Sequence, residues 1–265
     1  MPSGFTLVEL LVTIAVISIL IGILVPAIAG ARRAGQRAVC SSNIRQIHMA
    51  NELYAEDHDD RFLAGARGIT GDNLHRWHGA RDSVSDAFDP ARGDITPYLD
   101  GSSSSKRVRA CPSFVHTLDD LTERGIGFES GCGGYGYNNA FAGVVRSMNK
   151  SGNWIIDEDS IGAKRAKFAS PSVTIGFADA ALAGSELIEY SFVEPRKWPQ
   201  SPRFSPDPSI HFRHEGVCNV AWLDGHVSPE HRTYTTSSGV YATDPDPLGI
   251  GWFGAHNDNR LFDYD

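Results

Sequence analysis

Residues 4–10 read Gly-Phe-Thr-Leu-Val-Glu-Leu, and residues 10–31 continue as LLVTIAVISILIGILVPAIAGA. Those last 22 residues include no charged side chain. At a helical rise of about 1.5 Å per residue they extend roughly 33 Å, enough to cross a hydrocarbon core of about 30 Å. A buried core helix of a soluble protein normally keeps a polar stripe, and this segment has almost none. A cleaved secretory signal normally starts after basic residues and has a shorter apolar region. Met1, Pro2 and Ser3 supply no Lys or Arg, and Glu9 sits inside the front of the apolar run. The pattern predicts a membrane-spanning helix that carries one acid at its head. An ionised carboxylate near a membrane helix end costs about 2–3 kcal/mol, so Glu9 needs a partner or a function.

Beyond Ala31 the pattern becomes amphipathic. Ala34, Ala38, Ile44, Ile47, Ala50, Leu53 and Tyr54 recur at helical spacing among Arg33, Gln36, Arg37, Arg45, Gln46 and Glu52. The helix is expected to reach about Glu56 and to stop at Asp57-His58-Asp59-Asp60. Pro26, with Gly22 and Gly30 nearby, is placed to weaken or kink its outer half, although both residue types are common in membrane helices.

Charge separates the chain into two environments. Residues 1–50 carry Arg32, Arg33, Arg37 and Arg45 against Glu9, a net of +3, within a 265-residue chain of formal net charge −8. The remainder is acidic, which argues against nucleic acid as a partner. It is rich in Gly, Ser, Pro and Asp, with short apolar bursts at 107–110, 173–178, 187–193 and 217–223 that predict strands. Residues 95–99 predict a short helix, residues 102–105 a polar loop, and residues 197–208 a Pro-rich connection. A long helix laid over an antiparallel sheet buries such strands, giving an α+β fold.

The string from Gly4 to Leu10 resembles the processing signal of type IV pilins and type II secretion pseudopilins. The resemblance implies cleavage after Gly4 by a prepilin peptidase, N-methylation of Phe5, and Glu9 as the fifth residue of the mature chain. It further implies that Glu9 neutralises the amino group of a neighbouring subunit's Phe5, setting axial register in a filament of like subunits. Pro26 would then mark local melting of the helix on assembly. The implied organisation is a leader at 1–4, a transmembrane and assembly helix at 5–31, its amphipathic continuation at 32–58, and an exported head at 59–265. The precursor would sit in the inner membrane, with its head in the periplasm or at the cell surface and a secretion or pilus assembly platform as partner.

A second segment, His214-Glu-Gly-Val-Cys-Asn-Val-Ala-Trp-Leu-Asp224-Gly225-His226, places nine residues between His214 and Asp224. It resembles the H-X9-DG signature of a large prepilin-type family. Cys40-Ser-Ser-Asn43, Cys111-Pro-Ser, Tyr135-Gly-Tyr137-Asn138 and Phe177-Ala-Asp179 agree with that family in order along the chain. Asn219 to Leu223 alternates as a strand, and Asp224-Gly225 suits a hairpin turn. His214 and Asp224 are then turn anchors, while Asp179, His214, Asp224 and His226 also offer the donor types of a divalent metal site. No nucleophile motif accompanies the His–Asp pairing, so catalysis is not expected.

Weaker constellations complete the reading. His75-Arg-Trp-His78 suits either a packed aromatic loop or a metal or sugar contact. Asp244-Pro-Asp246-Pro and Asn257-Asp258-Asn259 are oxygen-rich, as Ca2+ requires, without following the EF-hand pattern. Four cysteines allow three full pairings. Cys111–Cys132 closes a Gly-rich loop and is the favoured bridge; Cys40 and Cys218 form a second bridge or stay as thiols. Trp77, Trp154, Trp198, Trp222 and Trp252 support a competing role, a tethered module that binds polysaccharide on an exposed aromatic platform.

Overall fold

The helix α1 spans Leu7–Asp57 and is continuous through Pro26. The computed structural model describes residues 5–99, 109–126, 129–236, 243–255 and 258–264. Along its first half α1 is exposed all round among the described residues. Every large apolar side chain from Phe5 to Ile28 is more than half exposed. Along its second half Cys40, Ile44, Ile47, His48, Ala50, Asn51 and Ala55 are buried. That spacing is one helical face, and it packs on the head. Burial of Ile44 and Ile47 alone stabilises the contact by about 1.5–3 kcal/mol each. Ala34, Ala38 and Leu53, expected on this face, remain exposed.

The face rests on a four-stranded antiparallel sheet. In chain order its strands are β1 (Tyr135–Tyr137), β4 (Ile175–Asp179), β5 (Val217–Trp222) and β6 (Val227–His231), with spatial order β6-β5-β4-β1. Central β4 and β5 are buried along their whole length, as strands covered on both faces must be. Tyr137 pairs with Phe177 and Val220 with Ala178. A separate hairpin joins β2 (Val145–Met148) to β3 (Trp154–Glu158). The helix α2 spans Val115–Glu123. This is the α+β, pilin-like arrangement of a long helix on an antiparallel head.

Several local expectations are corrected. The strand predicted at 173–178 begins at Ile175, because Pro171–Val173 form a short 3-10 turn with φ preset by the proline. Of the strand predicted at 187–193 only Leu187–Ile188 pairs in a ladder; Glu189 turns inward, and its carboxylate accepts from Gly133 N at 2.6 Å. The short helix near 95–99 is a single 3-10 turn, Thr96–Tyr98. Residues 107–108 of the first predicted strand and the loop at 102–105 lie outside the described residues, as do the leader residues 1–4.

Candidate functional site

Two regions carry the residues singled out by sequence. At the start of α1, Thr6 is the N-cap, with extended φ and ψ. Its backbone N–H and its hydroxyl both donate to Glu9 Oε2, at 2.8 and 2.7 Å, and Glu9 N donates back to Thr6 Oγ1 at 3.2 Å. This reciprocal arrangement is a capping box. It satisfies two helix-end donors and holds the Glu9 side chain against its own helix start. Both of Thr6's donors converge on Oε2, which leaves Oε1 for another group. Among the described residues no cation pairs with Glu9. Gly4 lies outside the described residues, whereas Phe5 is fully in view and exposed.

The second region is built around β5. His214 precedes the strand and Asp224 follows it, so the four candidate metal ligands fall into two pairs at opposite ends. His214 Nε2 lies 3.2 Å from Asp179 Oδ2, and both side chains are buried. Asp224 Oδ1 accepts from His226 N at 3.1 Å and lies 2.6 Å from His226 Nδ1. Asp179 is bonded to Asn219 within the strand, and the run from there to Asp224, at about 3.3 Å per residue, keeps the pairs on the order of 15 Å apart. The single four-ligand site expected from sequence is therefore corrected: one ion cannot reach all four donors. Burial alone would raise the Asp224 carboxyl, but the hydrogen bonds from His226 outweigh it and hold the group below its ordinary range.

Each end of β5 has its own anchor. At the first, Asp179 Oδ2 also accepts from Asn219 N at 2.7 Å and from Asn219 Nδ2 at 3.0 Å. One carboxylate oxygen thus ties β4 to β5 and to the chain entering β5. At the second, Gly225 has φ near +89°, a left-handed turn position suited to glycine. The turn lies over His48 of α1, whose ring sits within 4 Å of where a Cβ at Gly225 would be. Burial lowers His48 to about 4, against a smaller opposing influence from Asp224. His226 stacks on Trp222 with ring centroids 5.6 Å apart.

The disulfide joins Cys40 of α1 to Cys111, with Cα atoms 5.0 Å apart. This corrects the Cys111–Cys132 pairing; Cys132 and Cys218 are buried thiols. The physical reason is that α1 runs directly across the segment leading to α2. Asn43, one turn along from Cys40, donates to Ala110 O at 3.1 Å and keeps the two segments in contact. Cys40 Sγ, Cys111 Sγ and His214 Nε2 lie within 4.8 Å of one another. Joined as a disulfide, the sulfurs are not the thiolates that ligate metals. Sequence reasoning missed Cys40 as the partner because nothing in the chain's local pattern brings residues 40 and 111 together.

A family model described as the prokaryotic N-terminal methylation motif matches residues 2–25. This motif marks type IV pilin-like proteins. No curated protein and no solved structure matches the chain. The motif and the exposed apolar helix together fit a membrane-anchored precursor with an exported head.

The remaining candidates are largely drawn into packing and ion pairs. Trp77 is fully buried, and its Nε1 donates to Ser191 O at 2.8 Å. Arg76 beside it makes a buried bidentate pair with Glu129, and His78 is buried, which lowers it to about 3. Trp222 and Trp252 are buried and Trp154 packs on the core, leaving Trp198 as the exposed tryptophan. The aromatic platform needed for polysaccharide binding is thus broken up by core packing. Of the oxygen-rich segments, Asp246 pairs with Arg232 and Asp258 with Arg260. Asn259 holds both N–H and C=O of Lys197, and Asn257 lies outside the described residues.

Proposed function

We propose that this chain is a structural subunit, processed after Gly4 and assembled through α1 into a pilus-like or pseudopilus filament. The single observation that carries the reading is the division of α1. Residues 5–28 expose apolar side chains on every side, while residues 40–55 are packed on the head. In the precursor, lipid covers the first half. In a filament, helices of neighbouring subunits replace the lipid and the acidic heads face outward.

Glu9 fits the register role attributed to it. A free Oε1 beside an occupied Oε2 lets the carboxylate receive the amino group of a neighbour's Phe5 without giving up its N-cap. Such a pair neutralises two charges that are each costly in a helix bundle. The H-X9-DG segment is the clamp of the assembly subunit: its first end ties β5 to β4 beside the disulfide, and its second lays the Asp224-Gly225 turn on α1. We assign it no catalytic step.

Mass spectrometry of the native N-terminus tests the reading. The expected species begins with N-methylated Phe5. Mature protein that retains Met1 would overturn processing, and with it the filament.

A further inference from the structure

The head contains a partly open cavity of about 270 Å³ between the β2–β3 hairpin and the segment around residues 190–200, lined by none of the residues of the two regions described above. Ile156 and Phe192 give it apolar walls, and Tyr190, Trp198, Glu194 and Arg146 supply its chemistry. Arg146 is only 3% exposed, yet no carboxylate pairs with it among the described residues. Its Nε donates to Ala140 O, and its buried Nη1 has no hydrogen-bond partner. Burial lowers this guanidinium to about 10. Its Cζ lies 5.7 Å from the centroid of the Phe141 ring; a ring face and one carbonyl still leave this buried charge without an anion, which a ligand from outside can supply. Arg geometry matches a carboxylate, which it can hold through two parallel N–H donors.

The mouth supplies the second half of the recognition. Trp198 is 41% exposed, whereas the other tryptophans are packed into the protein. Its main chain is held, the backbone N–H donating to Phe204 O at 2.9 Å and the carbonyl accepting from Ser201 N at 3.0 Å. A half-open indole is a surface for the apolar C–H face of a sugar ring. Tyr190 OH donates to Glu194 Oε1 at 2.6 Å. Burial raises Glu194 to about 7, so it can give or accept hydrogen bonds with hydroxyls without standing as a full charge. The volume lies at the small end for ligand sites, which suits a single ring rather than a chain of rings.

We propose that this cavity binds one acidic sugar residue, a uronic acid, with Arg146 on its carboxylate and Trp198 on its ring. The site is separate from the filament reading and is measured on unassembled protein, so either can fail alone.

The test titrates the full chain in a non-ionic detergent with D-glucuronate, D-glucose and acetate, read by calorimetry and by the part of the tryptophan fluorescence change that Trp198→Ala removes. Glucose keeps the ring and lacks the carboxylate, and acetate does the reverse. Saturable glucuronate binding with Kd below about 1 mM, and at least about tenfold weaker binding of both controls, is the expected result. Trp198→Ala, a surface change, weakens glucuronate by about tenfold. Arg146→Met abolishes the preference for glucuronate over glucose without lowering the melting temperature, because an unpaired buried charge has been removed. Equal affinity for glucuronate and either control overturns the proposal. So does the lack of saturation by about 10 mM glucuronate. A lower melting temperature for Arg146→Met also overturns it, because the guanidinium would then be structural.

Discussion

Opening the Cys40–Cys111 bridge perturbs the contact on which the head's attachment to its helix depends. The two cysteines are 71 residues apart. Loop-closure entropy for that separation corresponds to about 4 kcal/mol of stability. For a chain of this size a urea slope of about 3 kcal/mol/M is reasonable, so Cys40→Ala or Cys111→Ala should lower the unfolding midpoint by about 1.5 M. The assay is urea unfolding of the full chain in non-ionic detergent, followed by fluorescence of the buried Trp77 and Trp252. The double variant should be no less stable than either single variant by more than about 0.5 kcal/mol, because each single change already opens the bridge. Cys132→Ala leaves the bridge intact and removes only one buried sulfur, for a loss of about 1 kcal/mol. If Cys132→Ala matched Cys111→Ala while Cys40→Ala was neutral, the bridge would lie between Cys111 and Cys132 and the packing argument would be refuted.

Three further outcomes follow from the geometry. Glu9→Gln keeps a hydrogen-bonding side chain at the helix start but removes its charge; membrane insertion should persist while filament yield, scored by electron microscopy, falls at least about tenfold. Asp179→Ala strands the buried Asn219 donors and the His214 ring, and should cost about 3–5 kcal/mol in a urea melt. Because folded His48 titrates near 4, below its ordinary value of about 6.5, the unfolded chain binds the extra proton between those two values. Its contribution is complete above about pH 6.5 and declines towards pH 4, by about 3 kcal/mol for this one ring. His48→Leu should flatten the slope of the urea midpoint against pH across that window.

The legible parts of the fold were those set by local periodicity. The apolar run, its single acid and the change to amphipathic spacing after Ala31 gave the helix, and its observed end at Asp57 lies one residue from the expected one. Val217–Trp222 and the Asp224-Gly225 turn were legible because alternation and turn chemistry are both local signals. What escaped was set by distant contacts. Cys40 meets Cys111 only because the helix crosses the approach to α2. Asp179 and His214 were both candidates and do meet, but the rigid length of β5 carries Asp224 and His226 away from them. Leu187 to Val193 has the composition of a strand, yet Glu189 and Ser191 are drawn into buried polar contacts that interrupt its ladder. The burial of Arg146, which stands on β2 itself, is likewise invisible until the β2–β3 hairpin packs on the head.

The attachments along the outer half of α1 have a mechanical meaning. Arg33 pairs with Glu215, Cys40 is cross-linked to Cys111, His48 sits under the Gly225 turn, and Glu52 pairs with Arg165. Nineteen residues separate the first from the last, a seam of roughly 28 Å along the rod. A load pulling on the head would be shared by fastenings of different chemistry spaced along that seam, and the covalent one lies between the ionic ones. Tension therefore reaches the rod as shear along its length, not as peeling from one end.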